Sequence, residues 1–184
     1  FMVVPWLTPL PILMAGAIAF FFRDPGTRIT PSPLGIYAPA SGVVKSIKSI
    51  RFNNEDFHCI TIYISLLDVH INRAPIAGKV ESILYTPGTF QLMIFDKAFE
   101  QNENNLLKIN SVHGNIYLRQ IAGGITRRIG CYLKEGESFE ALQKIGLIQF
   151  GSGAHLMFPK HVLPRVTVGQ KVEIGYTLLA MPNE

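Results

Sequence analysis

Short β-forming runs, each closed by glycine, proline or asparagine, fill this chain from residue 43 to residue 179 and limit what it can fold into. They lie at 43–51, 59–66, 79–85, 106–111, 115–122, 125–133, 145–150, 155–159 and 171–179. In "CITIYIS" (59–65), Ile60, Ile62 and Ile64 alternate with Thr61, Tyr63 and Ser65, the period of a strand with one face buried. With 16 glycines and 12 prolines among 184 residues, breaks come too often for long helices. "FDKAFEQNEN" (95–104) and "SFEALQ" (138–143) are the best short helices, and Ser138 is placed to cap the second. The expectation is a mainly β fold of α+β composition, with antiparallel strands in a compact sheet or barrel-like sandwich and a few short helices.

One region departs from that pattern. Residues 1–22, "FMVVPWLTPLPILMAGAIAFFF", carry no charge and are long enough to cross a bilayer core. Pro5, Pro9 and Pro11 argue against one straight helix, so the helical part is expected at Leu10 to Phe22, joined by a turn to a segment upstream. Ala15-Gly16-Ala17 resembles a leader cleavage site, but no basic stretch precedes the apolar run. A transmembrane anchor over 1–22 is therefore expected, starting upstream of Phe1, with the functional domain at 23–184. Arg23, Arg28, Lys45, Lys48 and Arg51 follow the apolar run, which places the body on the cytoplasmic side of a cell membrane. The net charge of +4 suits anionic headgroups. No dense basic run interleaved with aromatics appears, so nucleic acid is not an expected partner. Cys59 and Cys131 stand alone, and neither metal-ligand spacing nor a nucleotide-binding loop is present, so no metal is expected.

Two segments far apart in sequence share one architecture. "YAPASGVV" (37–44) and "VTVGQKVEIGYTLLA" (166–180) together resemble the spacing of biotinyl- and lipoyl-type barrel-sandwich folds. Gly169 and Gly175 permit the tight turns, and Val166, Val172 and Leu178 are expected to fill the barrel. A carrier domain needs a lysine at a hairpin tip, and none stands there, so the likeness is to the barrel-sandwich core alone.

Three stretches concentrate polar chemistry. In "LIQFGSGAHLMFP" (147–159) the Gly151-Ser152-Gly153 triplet interrupts an apolar strand, with His155 close by. Taken alone it reads either as a β-bulge or as a hydroxyl set to act on its own backbone. In "LLDVHINRAPIAG" (66–78), alternation puts Asp68, His70 and Asn72 on one face of a continued strand, with Arg73 beside them. Such a histidine is either structural or part of a site. In "QIAGGITRRIG" (120–130), Arg127 and Arg128 follow a Gly-Gly turn, either as solvated charges or as phosphate partners.

These stretches sit in a longer order: "FFRDP", "APASGVV", "LLDVHINRAPIAG", "YTPGTF", "FDKAFEQNEN", "QIAGGITRRI", "GLIQFGSGAHLMFP" and "VGQKVEIGYTLLA". From residue 20 to 180 the chain resembles the short phosphatidylserine decarboxylases. The resemblance implies a membrane-associated proenzyme that cuts itself between Gly151 and Ser152, giving a β chain of 1–151 and an α chain of 152–184. It implies that Ser152 becomes a covalent pyruvoyl cofactor, which forms a Schiff base with the amine of phosphatidylserine and releases phosphatidylethanolamine. His70 matches the family's catalytic histidine, while Arg73, Arg127, Arg128 and His155 are candidate substrate-binding residues. Assembly as a homodimer of αβ units is expected on the same ground. Ser41 stands in "APASGVV" where the family's motif carries aspartate, and Asn104 stands in "NENN" where the usual residue is arginine. A serine supplies no carboxylate to orient a histidine, so the alternative is a non-processing relative that binds lipid without decarboxylating it.

Overall fold

A computed structural model gives the structure of residues 9–93, 95, 97–124, 128–148 and 152–183. Helix α1 (Pro9–Phe21) leads through a proline-rich connector to β1 (Ile36–Tyr37) and a long hairpin, β2 (Gly42–Phe52) and β3 (Glu55–Ile64). Asn53 and Asn54 make the hairpin turn with φ of 49° and 66°, the left-handed geometry that matches strand twist and that asparagine tolerates. Next come β4 (Ile71–Arg73), β5 (Gly78–Thr86), helix α2 (Ala98–Gln101), β6 (Asn104–Ser111) and β7 (Gly114–Ile121). The remainder is β8 (Ile129–Cys131), β9 (Ser138–Phe139), β10 (Lys144–Ile148), β11 (Ser152–Pro159), β12 (Val162–Pro164), β13 (Lys171–Val172) and β14 (Leu178–Pro182).

The strands form three sheets in which each described pairing is antiparallel. The largest runs β13-β2-β3-β11-β7-β6-β5-β9, and two three-stranded sheets, β4-β10-β8 and β1-β14-β12, complete the fold. Ile60, Ile62 and Ile64 point into the main core with Leu107, Ile109, Leu118, Leu156 and Phe158. Burying each of these side chains contributes about 1.5–3 kcal/mol against the chain's conformational entropy. The distant segments come together as their spacing predicts: β1 pairs with β14 and β13 with β2, with Gly169 and Gly175 at φ of 87° and 71°. Val166 and Val172 are buried, but Leu179 rather than Leu178 fills the interior.

Several local expectations give way to the structure, while the expected anchor reaches beyond the described residues. Helix α1 has 13 residues, about 20 Å of rise, against a hydrocarbon core of about 30 Å. Among the described residues no helix is long and apolar enough to cross a membrane, and residues 1–8 of the expected anchor lie outside them. Ser138 caps no helix; it opens β9, opposite Lys79 of β5, because Phe139 gains more from burial than a six-residue helix could supply. Among the described residues of 95–104, Ala98–Gln101 alone is helical. From Ser152 to Pro159, β11 pairs with β3 without a register shift, so the triplet makes no bulge over these residues. Gly153 is small for a packing reason: a Cβ there would lie 2.6 Å from Phe99 Cε1 and 2.7 Å from Met93 Cε.

Candidate active site

Two short connections converge on the same end of the main sheet. Ile64, the last residue of β3, pairs with Ser152, the first of β11. Six residues on, the His70 carbonyl accepts the Ile148 amide at 3.0 Å, four residues before Ser152. Segments 64–70 and 148–152 are thus tied to each other at both ends, which brings His70 and Ser152 into one neighbourhood. Both are fully buried. Gly151, the other half of the expected scissile bond, lies outside the described residues, as does Arg127.

Ser152 Oγ is buried and has no hydrogen-bond partner among the described residues. Leaving a hydroxyl desolvated in this way costs about 1–3 kcal/mol, so the fold holds this oxygen at some expense. The His70 ring packs on Phe21 at the end of α1, with centroids 4.0 Å apart and planes at 34°. Burial pushes its pKa down to about 4, with help from the Arg23 charge and against a hydrogen bond and charge from Asp68. At neutral pH the imidazole is therefore uncharged and able to accept a proton.

Asp68 does not continue a strand face with His70. Its Oδ2 accepts the Ser65 amide at 2.9 Å and its own amide donates to the Ser65 carbonyl at 3.2 Å, so Ser65–Asp68 closes as a turn. Asn72 is buried in a network instead: it accepts Gln120 Nε2 at 2.8 Å and donates to the Pro39 carbonyl at 3.3 Å. Ser41 is buried too, and its Oγ accepts the Ile174 amide at 3.0 Å. It borders a cavity of about 170 Å³ between Asp68, Glu173, Arg23, Arg28 and Lys171.

Arg73 is committed elsewhere. Its guanidinium donates to Asp24 Oδ1 at 2.7 Å and to the Leu142 carbonyl at 2.8 Å, and Lys144 reaches Asp24 Oδ2 at 2.9 Å. Partial burial disfavours the Asp24 carboxylate, but hydrogen bonds from Lys144, the Gly26 amide and Arg73 outweigh it and hold the pKa at about 2. Arg73→Ala is expected to destabilise the fold by about 2–4 kcal/mol, since it strips a buried cation from a carboxylate that ties the helix connector to β4. Urea denaturation checks this, and an unchanged midpoint would mean that the pair contributes nothing.

His155 points away from Ser152 within β11. Arg128 is exposed at the start of β8. His155 is an odd number of residues from Ser152 and so projects from the opposite face of β11. There it stacks flat on Phe99, with centroids 5.6 Å apart, beside a cavity of about 430 Å³ lined by Lys45, Lys48, Thr61 and Cys59. Burial, then the charges of Arg119 and Lys48, lower its pKa to about 4.

One residue that pattern reading passed over organises this end of the sheet. Asn102 Nδ2 donates to the Gln91 and Ala122 carbonyls at 2.8 and 2.9 Å, while its Oδ1 accepts the Gln91 amide at 2.8 Å. It thereby clamps the loop carrying Met93 over Gly153. Its signal in the sequence was an asparagine-rich run, "NENN", at the edge of a predicted strand.

Comparison with known proteins accords with this arrangement. The model of the family described as phosphatidylserine decarboxylase matches residues 15–180. A phosphatidylserine decarboxylase proenzyme of Beijerinckia indica subsp. indica is 39% identical over 169 residues, covering 88% of this chain and 72% of that protein. Another, of Gluconacetobacter diazotrophicus, is 40% identical over 183 residues, covering 95% of this chain and 81% of that protein. The match takes in the β3–β4 connection, the start of β11 and the pairings of β1 with β14 and β13 with β2, so the chain belongs to the phosphatidylserine decarboxylase family.

Proposed function

We propose that this chain decarboxylates phosphatidylserine to phosphatidylethanolamine, using a pyruvoyl group made from Ser152. The observation that carries the reading is the buried Ser152 Oγ at the head of β11, without a hydrogen-bond partner among the described residues and next to Gly151 in sequence. A hydroxyl without a competing hydrogen bond is free to turn on the preceding carbonyl. In processing, Oγ attacks the Gly151 carbonyl carbon while neutral His70 accepts its proton, and the peptide nitrogen leaves, giving an ester. Loss of the Ser152 Cα proton expels the Gly151 carboxylate, and the remaining dehydroalanine takes up water and releases ammonia. The pyruvoyl group supplies an electron sink for the electrons left when the carboxylate departs as carbon dioxide. Each turnover consumes one proton from solvent, and His70, uncharged at rest, would relay it to the substrate carbon from its place beside Phe21. Arg23, Arg28 and Lys171 line a cavity that offers positive charge to the lipid phosphodiester.

Phosphatidylserine with a ¹³C-labelled carboxyl, presented in detergent micelles, tests the reading. Labelled carbon dioxide and phosphatidylethanolamine should appear in equal amounts, and hydroxylamine, which captures ketone carbonyls, should stop both. No release, with no hydroxylamine adduct on the chain, refutes it.

A second reading, a non-processing lipid-binding relative, draws on Ser41. Its hydroxyl is spent on the Ile174 amide, where the family resemblance leads one to expect a carboxylate. Ser41→Asp discriminates between the two. Under the decarboxylase reading it speeds cleavage of a chain that already cuts itself; under the second it turns cleavage on from none.

A further inference from the structure

The turn Ser65–Asp68, between Ser152's strand partner Ile64 and His70, carries two exposed leucines. Leu66 is 47% exposed and Leu67 72% exposed, at the tip of the Ser65–Asp68 turn. Asp68 fixes that tip from below through the Ser65 amide. Exposed leucines on a turn this short gain nothing from the fold, because neither takes part in the main core. Beside them lies the end of α1. Arg23 donates to the Phe20 carbonyl and to the Leu67 carbonyl, each at 2.8 Å, and its guanidinium lies 3.8 Å from the Phe20 ring centroid. The last turn of the helix and the leucine tip are therefore locked together by one cation.

Along α1, Leu10, Ile12, Leu13, Met14, Ile18 and Phe20 are all exposed, and the helix carries no charge. The leucine tip continues that apolar surface. Arg23, which holds the tip, also lines a cavity with Arg28 and Lys171, tempered by Asp68 and Glu173. Exposed apolar side chains next to cations suit an anionic bilayer, where the cations meet headgroups and the leucines meet acyl chains.

We propose that Leu66 and Leu67 insert into an anionic lipid bilayer alongside α1, and that this sets the mouth of the Ser152–His70 site at headgroup depth. The inference deepens the decarboxylase reading and rests on it for the identity of the lipid: a substrate held in a membrane needs its headgroup delivered to a buried serine. The tip and the site belong to one segment, 64–70, so docking the tip fixes the height of the site above the bilayer.

The test uses the full chain with Cys131→Ser, labelled with an environment-sensitive dye at Leu67→Cys or, as a control, at Val112→Cys. Val112 is as exposed, at 66%, but lies in the β6–β7 turn at the far end of the sheet, roughly 25 Å along β7 from the Ile121–Gly153 pair. Vesicles of phosphatidylserine and phosphatidylcholine carrying a lipid-borne quencher in the acyl region are then added. The dye at 67 should shift to the blue and be quenched, while the dye at 112 stays unchanged. In the unlabelled chain, Leu66→Ser with Leu67→Ser should weaken vesicle partitioning by roughly 10- to 100-fold, the loss expected for two leucine side chains. A silent dye at 67, equal responses at both positions, or unchanged partitioning of the double variant would each overturn the proposal. A chain that inserts at 67 but releases no carbon dioxide refutes the decarboxylase reading and leaves the docking intact. A decarboxylating chain that is silent at 67 does the reverse.

Discussion

Ser152→Ala is expected to yield one uncut chain with no decarboxylase activity, a loss of at least roughly 10⁴-fold, and a fold more stable than the unprocessed parent. The two effects have one cause. In the proposed processing Oγ is the attacking atom, and no other hydroxyl is offered at that backbone position. It is also a buried polar atom without a partner among the described residues. Replacing it by hydrogen removes a desolvation cost of about 1–3 kcal/mol, which for a chain of this length raises the melting temperature by several degrees. Gel electrophoresis, the ¹³C assay and differential scanning calorimetry read the three consequences. An alanine variant that still splits, or one less stable than the uncut parent, contradicts the role given to this oxygen.

His70→Gln is expected to lower both cleavage and decarboxylation by about 10²- to 10⁴-fold, the range for removing a positioned proton carrier. Cleavage is a single event per chain, so it should still approach completion over long incubation while steady-state turnover stays low. Because burial holds the His70 pKa at about 4, the cleavage rate of the parent should rise as pH increases through about 4 and be level from pH 6 to 8. An unperturbed histidine would instead give a midpoint near 6.5. Stability follows the same titration. Above the unfolded-state value of about 6.5 the histidine is neutral in both states, and its burial adds no pH dependence. As pH falls from there towards 4 the unfolded chain takes up the proton first, so stability drops until the folded pKa is passed. The loss is on the order of 3 kcal/mol for His70, and His155, also lowered to about 4, adds a second contribution of that order. His70→Gln should therefore remove about half of the acid sensitivity between pH 6.5 and 4. If the variant and parent lose stability in parallel over that window, His70 is not the buried neutral group described.

What the sequence made legible, and what it hid, divides along the range of the interactions. Ile60, Ile62 and Ile64 announce a strand because alternation is local, and the glycines at 169 and 175 announce turns because only backbone freedom is involved. The pairing of the segments around 37–44 and 166–180 was readable from shared spacing. Gly151, Ser152 and His70 stood out as residue types that an apolar strand does not need. Interactions between distant residues were not readable. Asp24 and Arg73 meet across 49 positions, and Phe21 lies on His70 although its stretch reads as pure anchor. Asp68 looked like a strand-face partner of His70 because alternation was carried across a turn that its own carboxylate closes. Ser138 looked like a helix cap because a six-residue window does not reveal that β5 offers it an edge. His155 is different, since its parity relative to Ser152 was in plain view and already placed it on the other face.

The central claim is that Ser152 cuts the chain at its own amide, and the intact mass of the protein purified in detergent tests it most directly. The account predicts two species, residues 1–151 and a 33-residue piece beginning at position 152, with the shorter one lacking the amino nitrogen of Ser152 and blocked to Edman degradation. A single species at the full 20.4 kDa, unchanged on prolonged incubation at neutral pH, would contradict it.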